Sequence, residues 1–134
     1  MQLPNGATVA VADGEKLNLF RNIGDEGHPK LTALPAGEVD TGRRGSGGGH
    51  HSSSANPGQS QVVEDGFSAG VADLLNREVL TGKIAQLVII APPRALGELR
   101  KHYHQKLSAV LIGEIPKDLT GHTIGDVESA IAAA

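Results

Sequence analysis

The strongest constraint on the fold lies in the stretch Lys83 to Arg94, Lys-Ile-Ala-Gln-Leu-Val-Ile-Ile-Ala-Pro-Pro-Arg. Leu87, Val88, Ile89 and Ile90 form an unbroken apolar run. A half-exposed strand alternates polar and apolar residues, whereas an unbroken run suits a strand covered on both faces inside an α/β sheet. Pro92 and Pro93 end the ladder, because neither has a backbone N–H to donate. Proline is tolerated in the first turn of a helix, so a helix over 94–103 can start at this corner. The stretch therefore predicts a strand, a tight corner and a helix.

A chain of 134 residues is one ordinary domain with a single core. Aromatic residues make up only 2%, so that core must be built from Leu, Ile, Val and Ala. The formal net charge is −3 and no basic run stands out. A dedicated nucleic-acid binder usually carries a basic patch, so no DNA partner is expected and any RNA contact would be local. The absence of cysteine excludes disulfides, thiolate metal sites and cysteine nucleophiles. Apolar runs fall far short of the ~18 residues of a membrane span, and no signal peptide is recognisable. A soluble cytoplasmic protein that does not engage membranes is the expectation. Nothing in the chain fixes an oligomeric state.

In chain order, 7–12 reads as a first strand and Asp13-Gly14 as a hairpin turn into a second strand over 15–23. Its alternation sets Leu17, Leu19 and Arg21 on one face and Lys16, Asn18 and Phe20 on the other. A third strand over 30–36 fits a sheet edge, where Pro35 is tolerated. These three make an antiparallel meander. The segment 39–61 is rich in Gly and Ser and almost devoid of apolar side chains. It cannot offset the entropy of ordering itself, so a long flexible loop is expected inside a single domain spanning 1–134.

A long helix over 62–81 is predicted from Val63, Phe67, Val71, Leu74, Leu75 and Val79, which mostly recur at spacings of three and four. Gly66 and Gly70 either weaken it or let it approach the sheet closely. Gly82 is its expected cap. After the Pro-Pro corner come a helix, a fifth strand over 110–115, and a last helix capped by Thr123 or Asp126, with Ile124, Val127 and Ile131 on one stripe. The expected fold is α/β: a mixed five-stranded sheet, opening with the meander, with about three helices packed on it.

Few residues carry obvious chemistry. His50-His51 offers at most two metal ligands in a loop that would not hold them, so no metal site is expected. His102 and His104 sit at i and i+2, on different helical faces, and suit the negative end of a helix dipole. His122 fits the start of the last helix. Gly45 to Gly49 lacks the lysine of a phosphate-binding P-loop. Gly45-Ser46-Gly47 lacks the pattern of a nucleophile elbow, and Ser52 to Ser54 beside histidines do not make a triad. The carboxylates Asp13, Glu38, Asp40, Asp65 and Asp118 are scattered along the chain. No cofactor motif is present.

Three segments together resemble the bacterial host-attachment protein family: Val9 to Gly14 followed by Leu19-Phe20, Leu87 to Arg94 followed by Leu96-Gly97, and Glu114 to Thr120. Ala-Pro-Pro-Arg and Lys-Asp-Leu-Thr are the most specific pieces. That family is similar to the middle domain of archaeal and eukaryotic class I peptide-chain release factors, a ribonuclease H-like α/β fold. In those factors a Gly-Gly-Gln loop positions water for peptidyl-tRNA hydrolysis. The matching place here holds Pro57-Gly58-Gln59-Ser60. Proline in place of the first glycine fixes φ and removes an N–H, a departure from the family pattern.

The resemblance implies action through a macromolecular partner, the ribosome or tRNA, with attachment to host cells an indirect outcome. Arg43, Arg44 and Arg94 would be the phosphate-contacting residues on that reading. The alternative it implies is a peptidyl-tRNA hydrolase in ribosome rescue, with Gly58 and Gln59 at the reaction centre. The residues alone leave enzymatic activity open.

Overall fold

The computed structural model describes residues 1–37, 39–40 and 57–134, residues 57–60 by their backbone. The expected order of elements is present: β1 (Thr8–Ala12), β2 (Leu17–Asn22), β3 (Leu31–Leu34), α1 (Pro57–Leu80), β4 (Leu87–Ile90), α2 (Pro93–Arg100), α3 (Gln105–Val110), β5 (Leu111–Ile115) and α4 (Ile124–Ala133). The sheet runs β3-β2-β1-β4-β5. β1, β2 and β3 pair antiparallel, and β4 pairs parallel with both β1 and β5. The α/β fold with a mixed five-stranded sheet and an N-terminal meander is thus as expected, and β3 is an edge strand.

All four residues of β4 are fully buried, as the unbroken apolar run requires of a strand covered on both faces. One face of the sheet carries Ala10, Ala12, Leu19, Leu87 and Ile89, and packs against Val71 and Leu75 of α1, Leu96 and Leu99 of α2 and Leu107 of α3. The other face carries Val9, Val11, Phe20, Leu31, Val88 and Ile90, and is closed by Val127 and Ile131 of α4 and by Leu3. Fully burying each such aliphatic side chain contributes about 1.5–3 kcal/mol. Leu17 and Leu19 lie on the α1 face and Phe20 on the other, as the alternation of β2 predicts.

Four helices are described where about three were expected. The additional one, α3, has six residues and one buried side chain, Leu107, too little to show a helical period. His104 begins it: its Nδ1 accepts a hydrogen bond from Lys106 N at 3.0 Å. It is therefore an N-cap rather than a cation at a helix C-terminus. α4 opens with a capping box, in which Thr123 Oγ1 accepts from Asp126 N and the Asp126 carboxylate accepts from Thr123 N.

α1 starts at Pro57, ahead of the expected Val62. Residues 57–61 carry no apolar period, and proline at the first helical position is what allows the earlier start. The expected stripe holds from Phe67 onward: Val71, Leu74 and Leu75 are buried with Phe67 and Val79 packed beside them, and Ser68 and Ala72 join them, whereas Val63 is 42% exposed. Gly70 serves neither of its expected purposes. A Cβ there would lie 1.9 Å from the carbonyl oxygen of Asp40, so the glycine admits the 39–40 backbone and not the sheet. At the other end Gly82 takes φ +83° and Lys83 N donates to Glu78 O at 2.9 Å, closing the helix as expected.

Buried Asn22 ties the meander together. Its Nδ2 donates to Leu3 O at 2.8 Å, and its Oδ1 accepts from Gly24 N and Lys30 N, both at 2.9 Å. Glu128 of α4 accepts from Leu31 N at 2.8 Å on edge strand β3. No helix among the described residues is long and apolar enough to cross a membrane.

Candidate functional site

Because β1, β4 and β5 run parallel, their carboxyl ends meet at one edge of the sheet. Open α/β sheets bind ligands at such an edge. Three sequence motifs converge there: Asp13-Gly14 follows β1, Pro92-Pro93-Arg94 follows β4, and Pro116 to Thr120 follows β5. Ala91 N donates to Ile115 O at 3.1 Å and Leu96 N to Pro92 O at 2.8 Å, so the Pro-Pro corner is closed by backbone alone.

Asp13 is the brace of this edge. Its Oδ1 accepts from Glu15 N at 2.7 Å and Lys16 N at 2.6 Å, and its Oδ2 accepts from the Thr120 hydroxyl. Burial opposes ionisation of Asp13. The hydrogen bonds from Thr120 and from the Glu15 and Lys16 amides outweigh it and hold the carboxyl below its ordinary value. A carboxylate held ionised with both oxygens engaged is poorly suited to act as a general base. Asp13 positions the β5 exit loop against the β1–β2 hairpin.

α1 covers this edge from one side. Glu64 lies over Gly14, where a Cβ would sit 2.8 Å from the Glu64 Cγ and Oε1. Between α1 and α2 opens a cleft of about 270 Å³, lined by Asp65, Arg94, Gly97, Glu98 and Lys101. Glu98 Oε1 accepts from Lys101 Nζ at 2.9 Å, and that bond, against a little desolvation, holds the Glu98 carboxyl down. Asp65 Oδ1 accepts from Gln61 Nε2 at 2.7 Å. Arg94 is exposed and has no ion-pair partner among the described residues.

Gly58 and Gln59 lie in the first turn of α1. They are helical by backbone, where the sequence suggested a loop. First-turn N–H groups have no partner inside a helix, and Gln59 precedes Asp65 by about 9 Å along the axis. The chain thus brings Arg94, the acidic pair Glu64-Asp65 and the start of α1 to one edge. Arg43, Arg44, the His50-His51 pair and the Gly45 to Gly49 tract lie outside the described residues. Among the described residues no three His, Cys, Asp or Glu side chains gather in a way that would hold a metal ion.

Sequence reasoning did not single out Glu64 and met Thr120 only inside the Lys-Asp-Leu-Thr motif, since both gain their place from contacts distant along the chain, whereas Lys101 pairs with Glu98 three residues before it. A second polar cluster was likewise invisible. Arg100 donates to Glu114 through Nη2 at 2.8 Å and Nε at 3.1 Å, and Tyr103 OH donates to the same carboxylate at 2.8 Å. Burial, then the Glu114 contact, pushes the Tyr103 hydroxyl far up. Burial opposes ionisation of Glu114 too, but Arg100 and Tyr103 hold its carboxyl down. The cluster fastens the end of α2 to edge strand β5.

No curated protein is similar enough to match the chain. The family model described as bacterial archaeo-eukaryotic release factor family 12 matches residues 6–131. With the order β3-β2-β1-β4-β5 and the motifs of the carboxyl edge inside that match, the chain belongs to bacterial archaeo-eukaryotic release factor family 12.

Proposed function

We propose that the protein acts in translation in the cytoplasm, binding the ribosome or tRNA through the carboxyl edge of its parallel strands. The observation that carries this reading is Arg94, a cation with no ion-pair partner among the described residues, at the same edge as the first turn of α1, in a chain of a release-factor family. Arg43 and Arg44 precede that turn in sequence and add to the phosphate contacts. Phosphate contacts of this kind are salt-sensitive, each contributing about one unit to the log–log salt slope. An effect on attachment to host cells would follow indirectly from altered translation.

The test is co-sedimentation of the purified protein with ribosomes at low and moderate salt, beside an Arg43→Ala/Arg44→Ala/Arg94→Ala variant. Binding that weakens with salt, and that the variant loses with a shallower slope, supports the reading. Failure to sediment at either salt overturns it.

The second reading, peptidyl-tRNA hydrolysis, is favoured by α1 being much longer than the strands it covers. Its 24 residues span about 36 Å, against about 17 Å for the five residues of β1. Pinned to the sheet by its second half, the helix reaches past the edge at its first turn. On this reading Gln59 orients the attacking water. Gln59→Ala should then abolish release of the peptide from peptidyl-tRNA while ribosome binding persists; unchanged release removes the assignment.

A further inference from the structure

The opposite end of the sheet carries a feature that neither reading uses. Where α1 ends and β1 begins, two adjoining hollows of about 300 and 250 Å³ share Pro35, Glu78 and Lys83 in their walls. One adds Arg77 and Leu74, the other Thr8, Arg21 and Ile84. Three cations thus meet one carboxylate. Lys83 Nζ lies 3.7 Å from Glu78 Oε2, the lysine largely exposed and the glutamate half-buried, a long contact of modest strength. Arg21 and Arg77 have no side-chain partner among the described residues.

Thr8 supplies an independent observation. The residue is 1% exposed, and its hydroxyl is the buried side-chain polar atom without a hydrogen-bond partner among the described residues. An orphaned buried hydroxyl is costly, so it requires an explanation. Register places Arg21 directly opposite Thr8 on the same face of the sheet, close enough for its stem to cover the hydroxyl. A phosphate drawing the guanidinium outward would open the hydroxyl to donate to a phosphate oxygen.

We infer that this groove binds a nucleoside phosphate, held by Arg21, Arg77 and Lys83 with Thr8 as a further donor. The chemistry selects more than a bare anion. Leu19, Leu34 and Ile84 give one hollow an apolar wall suited to a base, and Glu78 can accept from ribose hydroxyls or an exocyclic amine. The volumes match the lower end of small-ligand sites. Free nucleotide and a nucleotide unit of an RNA strand share this chemistry. The groove lies at the amino ends of β1 and β4, so its occupancy is independent of the proposed edge interface.

The experiment follows the backbone amides of Thr8 and Ile84 by NMR in the full chain. Nucleoside 5′-monophosphates, inorganic phosphate and a short single-stranded oligoribonucleotide are titrated separately. Saturable shifts at both amides are expected below about 1 mM nucleotide, weakened at least about tenfold in Arg21→Met/Arg77→Met. Tighter binding of the oligonucleotide identifies a strand as the source, and tighter binding of the mononucleotide a free ligand. Thr8→Val gives a second check that survives any failure of the double variant to fold. It should raise the melting temperature of the unliganded protein while shrinking the shift that nucleotide adds. Absence of amide shifts with all three probes overturns the inference. So does inorganic phosphate binding as tightly as nucleotide, or a nucleotide-induced melting shift that Thr8→Val leaves unchanged.

Discussion

The two halves of α1 are built differently. Its second half is embedded: Val71 and Leu75 are completely buried. Gly70 lets the 39–40 backbone lie against the helix. Asn76 grips the turn before α3, donating to His102 O and accepting from His104 N, both at 2.9 Å. Its first half is clad lightly, with Val62 66% and Val63 42% exposed, and it meets the β1–β2 hairpin through the flexible Glu64 side chain over Gly14. One half supplies rigidity and the other availability. A helix fixed at one end by close packing can present its other end without the sheet having to extend beneath it.

Substitutions at glycines in the two halves should separate these roles, and the largest effect belongs at Gly70. Its absent Cβ would lie 1.9 Å from a backbone oxygen and 2.8 Å from Val39 Cγ1. Backbone cannot rotate away as a side-chain tip can. Gly70→Ala should therefore destabilise by about 1–3 kcal/mol through overpacking, despite the better helix propensity of alanine. Urea denaturation with an unchanged m-value is the measurement. A stabilised variant would mean that segment 39–40 is not held against the helix, and the contrast between halves would weaken.

A smaller effect is expected at the brace beneath the first half. Thr120→Val keeps the side-chain shape and removes the hydrogen bond to Asp13, at a cost of about 1 kcal/mol near neutral pH. The sign of its pH dependence follows from the direction of the Asp13 shift. The carboxyl is held below its ordinary 3.8 in the fold. Its contribution is present above that value and is lost as pH falls through the lower, folded one. The wild-type and variant stability curves should therefore converge below about pH 4, with Glu114, unchanged in both, cancelling from the difference. A gap that persists undiminished into acid would show that the loss is packing and not the ionised hydrogen bond.

How much of this was legible in sequence depends on how local the signal is. The continuous run Leu87 to Ile90 implies a doubly covered strand, Asp13-Gly14 a hairpin, and Thr123 or Asp126 a helix start, of which the structure uses Thr123 as the cap, because each is decided within a few residues. The start of α1 was not legible: residues 57–61 have no apolar period, and only the fixed φ of Pro57 hints at it. α3 was missed because one buried leucine cannot show a period. Val63 misled because a helical stripe continues in sequence even where the helix has outrun the sheet. At the candidate edge, Arg94 stands out in sequence through the Ala-Pro-Pro-Arg motif. The Thr120–Asp13 hydrogen bond joins residues 107 positions apart, and no spacing rule reaches that far. The unpartnered Thr8 hydroxyl was equally hidden, since threonine in a strand is unremarkable until its neighbours are placed.

The smallest effect should come from Gly14, the counterpart of Gly70 beneath the first half of the helix. A Cβ there would meet Glu64 Cγ and Oε1 at 2.8 Å, as close as a bad clash. The atoms it meets, however, belong to a flexible side chain, which can adopt another staggered rotamer at little cost. Gly14→Ala should thus change stability by no more than about 0.5 kcal/mol, against several times that at Gly70. What it should change is the position of Glu64, readable as amide shifts confined to residues 61–68 of α1 and the 13–16 turn. If Gly14→Ala proved as costly as Gly70→Ala, Glu64 would be fixed in place. The first half of α1 would then be anchored as firmly as the second, and its first turn would have to be presented by a wholly rigid helix.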